Sequence, residues 1–276
     1  MSTQPPSLPL LLRRSRTALG LRSNQPRPHF LGIGTQKGGT TTLYQLLKPH
    51  PDVYLPDNKE VHYFTKHYGQ GEAWYLEHFA AAKPGQLRGE ITPYYLFHEA
   101  APERIHALRR NMRLIALLRD PVERSLSQYF HSRRLGLEEL PLEQALEAEA
   151  TRLAGSEAMI RRPGGTHTSH QEHSYVARSR YELQLQRYFQ LFGRHNLLVL
   201  RSEDLFEQPQ ASLDALSGFL GIAPFAADVA VPRANSGAGE ANTVDPRLRR
   251  QLQEQLASTY GWLERELGLS WPAGAR

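Results

Sequence analysis

The sequence predicts an α/β protein whose core is a P-loop-like parallel sheet of about five strands with helices on both faces. Short apolar runs of strand length alternate along the chain with longer amphipathic segments, and glycine or proline separates the two kinds. The 276 residues, 40% of them hydrophobic, are enough to bury one large core, and no internal repeat is present. Sheets of this type bind ligands beyond the carboxyl ends of their strands, so the residues that follow each strand form the candidate site.

The first strand and helix flank a loop rich in glycine and threonine. Residues 29–34 (HFLGIG) are a short apolar run that enters this loop, which is typical of a buried strand. The helix at 40–47 ends at Lys48-Pro49. Pro102 opens a later helix at 102–109, since proline is favoured at the first helical position. The same patterns predict further strands at 53–55, 86–90, 113–118 and 196–200, and further helices at 74–79, 122–134, 140–153, 181–192, 211–220 and 247–267.

The composition excludes several classes of protein. Cysteine is absent, so disulfides, thiol catalysis, iron–sulfur clusters and cysteine-bound zinc are excluded. No apolar run approaches the roughly 18–20 residues that span a bilayer, so we expect no membrane span and a cytoplasmic location. The net charge of +5 resides in residues 1–30, which hold five arginines and no acid, while the remaining 28 basic and 28 acidic residues balance. A nucleic-acid partner is therefore not expected.

The charge pattern also divides the chain into two parts. Residues 1–28 are rich in serine, proline and arginine and are expected to form a flexible basic arm, with an address signal or an anion-binding arm as the alternative. The apolar stretch at residues 8–12 is interrupted by Pro9 and is too short for the core of a signal peptide. Residues 29–276 are expected to form a single domain.

The loop after the first strand is the strongest candidate site. Residues 34–42 (GTQKGGTTT) run from a strand into a helix, so glycines allow backbone N–H groups to approach an anion and the helix N-terminus adds partial positive charge. The ATPase pattern G-x-x-x-x-G-K-[ST] would need lysine at position 40, where the chain has Thr40, and the lysine is instead Lys37. A plain glycine-rich turn with an exposed lysine is the alternative.

Two further strand ends carry polar side chains. Glu90 closes one strand beside the glycine loop and is either a general base or a turn-capping acid. Arg119 follows the strand at 113–118, and Ser127 lies two turns into the next helix. An arginine with a hydroxyl suits a phosphate, whereas the alternative is a solvated arginine and a surface serine.

Two clusters of ring-bearing residues have simpler interpretations. His167, His170 and His173 lie three residues apart at 164–175 (GGTHTSHQEHSY), where we expect a mobile polar loop on the substrate side of the site, with a plain solvated loop or a metal site as the alternatives. Five aromatic residues are expected to pack in the core, with stacking on a sugar or other ring as the alternative: Trp74, Tyr75, Phe79, Tyr94 and Tyr95.

Six ordered segments of the chain resemble one known family. The segments are FLGIGTQKGGTTTLYQLL, KEVHYF, YGQGEAWYLEHF, GEITPYY, APERIH and RLIALLRDPVERSLSQY. They are similar to the sulfotransferases that use 3′-phosphoadenosine-5′-phosphosulfate (PAPS), most of all to the heparan sulfate glucosaminyl N- and 3-O-sulfotransferases and their bacterial relatives. The resemblance is nearly collinear from His29 to Ser127 and weaker over 181–205.

This resemblance implies a sulfuryl transfer with PAPS as donor, 3′-phosphoadenosine-5′-phosphate (PAP) as product and no required metal. The acceptor would be a hydroxyl or amine of a small molecule or glycan, a carbohydrate or other secondary metabolite. Matching positions imply a set of residues that bind the 5′-phosphosulfate, with Lys37 on the bridging oxygen: Gln36, Lys37, Gly38, Gly39, Thr40 and Thr41. They also imply that Arg119 and Ser127 bind the 3′-phosphate. Glu90 would be the base, and His62 would lie at the acceptor cleft.

The sequence departs from the glucosaminyl branch at three places, which concern the acceptor more than the donor. Ile91 replaces the lysine that usually follows the glutamate, and the disulfide of that branch is impossible without cysteine. The Lys-Gly-Arg stretch that contacts the cofactor is replaced by Arg233-Ala234-Asn235-Ser236-Gly237. A P-loop kinase that uses ATP and a non-catalytic binder of sulfated or phosphorylated ligands are the alternative functions.

Overall fold

A central parallel sheet organises the computed structural model, which describes residues 27–232 and 239–271. In those residues five strands lie side by side in the order β2-β3-β1-β4-β5, and each neighbouring pair is parallel. This confirms the predicted sheet of about five strands. The strands are β1 (Phe30–Gly34), β2 (Val53–Tyr54), β3 (Leu87–Ile91), β4 (Arg113–Leu118) and β5 (Leu197–Arg201).

Helices connect the strands and cover the sheet. In the described part of the chain they are α1 (Thr40–Leu47), α2 (Gly71–Glu77), α3 (Tyr94–Phe97), α4 (Ala101–Leu108), α5 (Pro121–Arg134), α6 (Leu142–Leu153), α7 (Ser156–Ile160), α8 (Thr168–Glu172), α9 (Tyr181–Phe192), α10 (Ser202–Glu207), α11 (Pro209–Leu220), α12 (Pro246–Gln255) and α13 (Ala257–Leu267), with single 3₁₀ turns at Tyr68–Gln70, Ala177–Ser179, Arg194–Asn196 and Glu240–Thr243. No helix of this part is long and apolar enough to cross a membrane.

Successive residues of the central strands enter opposite sides of the sheet. In β4, Leu114, Ala116 and Leu118 belong to one apolar cluster, whereas Ile115 and Leu117 belong to another. Because side chains alternate between the two faces of a strand, both faces are buried. Helices α2, α4, α9 and α13 cover the first cluster, and α1 and α11 cover the second.

The strand order leaves a crevice between the loops that follow β1 and β4. The chain leaves β1 toward β2 on one side of the sheet and leaves β4 toward β5 on the other, so these two loops diverge at a topological switch point. Asp120, two residues after the end of β4, caps α5 by accepting a hydrogen bond from the N–H of Glu123 at 2.9 Å. Pro121 begins the helix.

The structure corrects the element predictions at a few places. The single helix expected at 247–267 is two helices, α12 and α13, which meet at the fully buried Leu256. Residues 164–175 were expected to be loop but contain α8, and the short helices α3 and α10 directly after β3 and β5 were not expected. The predicted arm, apart from residues 27 and 28, and the segment 233–237 lie outside the described residues.

Candidate active site

The loop between β1 and α1 lies so close to β4 that only glycine fits at its centre. A Cβ atom on Gly38 would lie 2.5 Å from the carbonyl oxygen of Leu117, and Gly39 has a φ of 90°. The N–H of Thr35 donates to the same Leu117 carbonyl at 2.8 Å. Helix α1 then begins at Thr40 with no side-chain cap and no acid in its first turn. The first N–H groups of α1 therefore present the partial positive charge of an anion site.

Lys37 has surroundings that favour a bound anion. It is half-buried in this loop beside Gln36, and its ammonium has no hydrogen-bond or ion-pair partner among residues 27–232 and 239–271. Burial, followed by the charges of Arg134, Arg119 and Arg124, lowers the pKa of Lys37 to about 8. Clustered cations repel one another unless an anion neutralises them, so the site is electrostatically suited to phosphate or sulfate.

Arg119 follows β4 directly, and Ser127 lies two turns into α5. The Arg119 guanidinium is partly exposed and lies 3.8 Å from Glu123, and its backbone carbonyl accepts the hydroxyl of Tyr181 at 3.0 Å. The half-buried Ser127 hydroxyl has no hydrogen-bond partner within the described residues. A guanidinium with an available hydroxyl is a suitable pair of donors for a phosphate.

Two residues that sequence reasoning missed continue the same face of α5. His131 and Arg134 follow Ser127 by four and seven residues, so the three side chains share one side of the helix. Burial, then the charges of Lys37 and Arg134, lower the pKa of His131. Arg134 pairs with Glu240 at 2.8 Å. The helical spacing from Ser127 is the signal that identifies them in the sequence.

The segment between β2 and α2 brings a carboxylate and an imidazole together. Nε2 of His62 lies 3.3 Å from Oε2 of Glu60, and the Lys59 ammonium donates to Oε1 of Glu60 at 2.9 Å. Burial alone would raise the pKa of Glu60, but the hydrogen bond from His62 and the charge of Lys59 lower it to about 2. The Glu60 side chain is 41% exposed. Sequence reasoning selected His62 and missed Glu60, an ionised and accessible carboxylate two residues earlier.

Glu90 is the residue before the last one of β3, and its carboxylate is enclosed. The residue is 0% exposed, the hydroxyls of Tyr75 and Tyr95 donate to Oε1 at 2.9 and 2.7 Å, and the hydroxyl of Thr92 donates to Oε2 at 2.8 Å. Burial raises the pKa of Glu90 to about 7, against the opposing effect of these hydrogen bonds. Side chains of α2 and α3 enclose this acid, so its geometry does not favour the predicted role as a base, which stays a prediction.

The histidine segment at 164–175 is also more ordered than expected. His170 is buried in α8, with Nδ1 2.7 Å from the Tyr94 hydroxyl and its ring stacked on Phe97. The ring of His167 accepts the N–H of His170 at 3.1 Å and caps the helix. No cluster of three or more metal-binding side chains occurs in the described residues. The aromatic residues near the site pack into or against the core, as expected: Trp74, Tyr75, Phe79, Tyr94 and Tyr95.

A doubly covered parallel sheet with a glycine loop and clustered cations at its switch point defines an α/β protein that binds an anionic ligand. The family model described as the sulfotransferase domain matches residues 27–231 of the chain. The chain therefore belongs to the sulfotransferase family, which confirms the resemblance predicted from the sequence motifs.

Curated relatives agree with this assignment. The chain is 31% identical over 197 residues to heparan sulfate glucosamine 3-O-sulfotransferase 3B1 of Homo sapiens, a match that covers 71% of this chain and 46% of that protein. It is 44% identical over 108 residues to the membrane-associated sulfotransferase kil1 of Dictyostelium discoideum, which covers 38% of this chain and 23% of that protein. The chain thus matches less than half the length of these two relatives.

Solved structures show the same fold. The sulfotransferase from Alicyclobacillus acidocaldarius superposes with a TM-score of 0.72 and 26% identity, covering 89% of this chain and 98% of that one. Mouse sulfotransferase SULT7A1, solved in complex with PAP, superposes with a TM-score of 0.53 and 14% identity, covering 88% and 87% of the two chains. At that identity the second match shows the fold alone. The predicted α/β sulfotransferase fold is confirmed.

Proposed function

We propose that the chain is a sulfotransferase that moves the sulfuryl group of PAPS to a hydroxyl or amine of an acceptor, a carbohydrate or secondary metabolite. The observation that carries this proposal is Lys37, whose ammonium lacks a partner in the described residues and lies in a glycine loop at the N-terminus of α1. PAPS has two separated anionic groups. Its 5′-phosphosulfate suits the loop and α1, and its 3′-phosphate suits Arg119 and Ser127.

The loop then stabilises the leaving group. In the proposed step the acceptor oxygen or nitrogen forms a bond to sulfur, the bond from sulfur to the bridging oxygen breaks, and PAP leaves with that electron pair. Lys37 and the N–H groups of the loop stabilise the negative charge that grows on the bridging oxygen, an interaction stronger in the transition state than in the ground state.

We place the acceptor's proton on Glu60 rather than on Glu90. A general base must come within about 2.6–3.2 Å of the proton that it removes. Glu60 is exposed and ionised, and His62 holds it by a hydrogen bond. Glu90 is inaccessible, and its carboxylate already accepts hydrogen bonds from three hydroxyl groups. His62 keeps its predicted place at the acceptor side, as the residue that orients the base.

The test is transfer of ³⁵S-labelled sulfate from PAPS to a panel of acceptors. Heparan sulfate oligosaccharides come first because of the human relative, followed by other glycans, phenols, amines and lipids. We expect one or more labelled products with the parent and strongly reduced labelling with Lys37→Ala.

Two outcomes would favour the other functions. PAP binding with no transfer to any acceptor would support a non-catalytic binder. Saturating PAP should raise the melting temperature, because about 100 times the Kd adds ~2.7 kcal/mol of stability. An equal rise with ATP and Mg²⁺, together with transfer of labelled phosphate, would support the kinase.

A further inference from the structure

We infer that Glu90 is a positioning residue: together with Thr92 and Tyr95 it holds residues 60–65 in place and thereby sets the positions of His62 and Glu60. The catalytic consequence rests on the proposed function, whereas the structural consequence does not. In this role Glu90 neither removes the acceptor's proton nor only fills space in the core.

The carboxylate of Glu90 determines how two neighbouring hydroxyl groups point. Thr92 donates its hydroxyl proton to Oε2 at 2.8 Å, and Tyr95 donates its own to Oε1 at 2.7 Å. A hydroxyl has only one proton, so once it donates to the carboxylate its oxygen serves its other neighbours as an acceptor. Glu90 therefore converts both hydroxyls into acceptors of fixed direction.

Backbone N–H groups of residues 60–65 use these acceptors. The N–H of His62 lies 3.4 Å from Oγ1 of Thr92, and the N–H of Phe64 donates to the hydroxyl of Tyr95. The N–H of Val61 donates directly to the Glu90 carboxylate. Val61 and Phe64 are 1% and 0% exposed, so solvent water has no access to replace these hydrogen-bond partners.

These hydrogen bonds account for an unusual backbone conformation at His62. Its φ of 56° lies in the left-handed region, which a residue other than glycine adopts only where the surroundings enforce it. The N–H groups on either side of this strained residue are fixed by the cluster around Glu90. The imidazole lies within 3.3 Å of the Glu60 carboxylate, and its Nδ1 atom lies 3.2 Å from Oγ1 of Thr65 in the same segment.

Tyr75 provides a matched comparison for Tyr95. Its hydroxyl donates to the same Oε1 atom of Glu90 at 2.9 Å and is equally buried. Within the described residues, however, no N–H group of the 60–65 segment donates to it. Tyr75→Phe and Tyr95→Phe each remove one hydroxyl from the same carboxylate, and only Tyr95→Phe also removes an acceptor from the segment.

The experiment compares these two variants and Glu90→Gln with the parent chain. The readouts are the His62 ring signals in ¹³C,¹⁵N-histidine-labelled protein, assigned with His62→Gln, together with kcat, the Kd for PAP and the melting temperature. We expect Tyr95→Phe and Glu90→Gln to shift the His62 signals and to lower kcat roughly ten- to hundredfold, as displaced catalytic groups do, with the Kd for PAP unchanged. Tyr75→Phe should leave the His62 signals in place and change kcat by less than about threefold, because the carboxylate keeps two hydroxyl donors.

Several results would overturn the inference. If Tyr75→Phe and Tyr95→Phe shift His62 equally, the effect is general loosening around the acid. If Glu90→Gln lowers kcat while the His62 signals stay unchanged, Glu90 is the base itself. Where Tyr95→Phe does not fold, Thr92→Val removes the other acceptor and must shift His62 for the inference to hold. A parent without sulfotransferase activity refutes the proposed function alone, because the His62 comparison needs no turnover.

Discussion

The hydroxyl of Tyr94 and Nδ1 of His170 lie 2.7 Å apart and share a hydrogen bond inside the protein. This contact joins α8 to α3, the short helix that follows the strand ending at the candidate site. Burial, followed by the charge of Arg178, lowers the pKa of His170 to about 2. The imidazole is therefore neutral throughout the physiological range, and folding works against its protonation.

The first prediction concerns how stability depends on pH. Below its ordinary pKa of about 6.5, His170 gains a proton in the unfolded chain but not in the folded one, so its contribution to stability is present above pH 6.5 and is lost as the pH falls toward 2. The loss is at most about 1.4 kcal/mol per pH unit. His170→Phe should be less stable than the parent by about 1–2 kcal/mol at pH 7.5, through the lost hydrogen bond, and this difference should shrink as the pH falls.

Urea unfolding at pH 7.5, 6.0 and 5.0 measures that difference directly. Only the difference between parent and variant is diagnostic, because other buried groups also titrate. His195→Phe, which replaces an exposed histidine, controls for the removal of an imidazole. Parallel curves for the parent and His170→Phe would show that His170 titrates normally.

Local patterns in the sequence were sufficient for most of the fold. The run at 113–118 predicted β4 because parallel strands covered on both faces are apolar at nearly every position, and residues 114–118 are all buried. The helix predicted at 122–134 is α5, which begins one residue earlier at Pro121. The glycine loop was also recognisable from its composition, and the structure explains Gly38, where a Cβ atom would lie 2.5 Å from the carbonyl oxygen of Leu117.

The role of Glu90 could not be predicted in the same way. Its position at a strand end was correct, but its burial depends on Tyr75, fifteen residues earlier, and on Tyr95 in a helix that the sequence did not indicate. Contacts between separate segments decide whether a carboxylate faces solvent or core, and periodicity carries no information about them. Glu60 was overlooked for the same reason, because its pairing with His62 depends on a left-handed turn.

The second prediction concerns the charge of Lys37. Its pKa of about 8 in the free protein means that the cation is lost as the pH rises through 8, so kcat/KM for PAPS should fall along that limb. Lys37→Arg keeps its charge at higher pH, so the fall in kcat/KM should shift to a higher pH. Lys37→Ala should remove the limb and lower kcat by roughly 10²–10³, the usual cost of losing a donor at a developing anion. A pH–rate profile that is identical in the parent and Lys37→Arg would exclude Lys37 as its origin.

The third prediction separates the two anionic groups of the nucleotide. Arg119→Ala should weaken PAP binding roughly 10- to 100-fold and leave adenosine 5′-phosphate almost unaffected, because only PAP carries the 3′-phosphate that Arg119 is proposed to bind. Calorimetric titration of both nucleotides gives the two ratios. Arg110→Ala is the matched control, an exposed arginine that precedes β4 and so lies at the opposite edge of the sheet. An equal loss for both nucleotides would place Arg119 away from the 3′-phosphate.

The last prediction tests the base with acceptors of different acidity. Glu60→Gln keeps the size of the side chain but cannot take a proton, so transfer to a sugar hydroxyl should slow by roughly 10²–10⁴. Activated phenols lose their proton more readily, and their rates should fall less. PAP affinity should stay at the parent value, since Glu60 is proposed to contact the acceptor and not the nucleotide. Initial rates over a series of acceptor pKa values provide the measurement, with Glu139→Gln, another exposed glutamate, as the control. A slope against acceptor pKa that is the same in parent and Glu60→Gln would remove Glu60 from the proton transfer and favour His62 as the base.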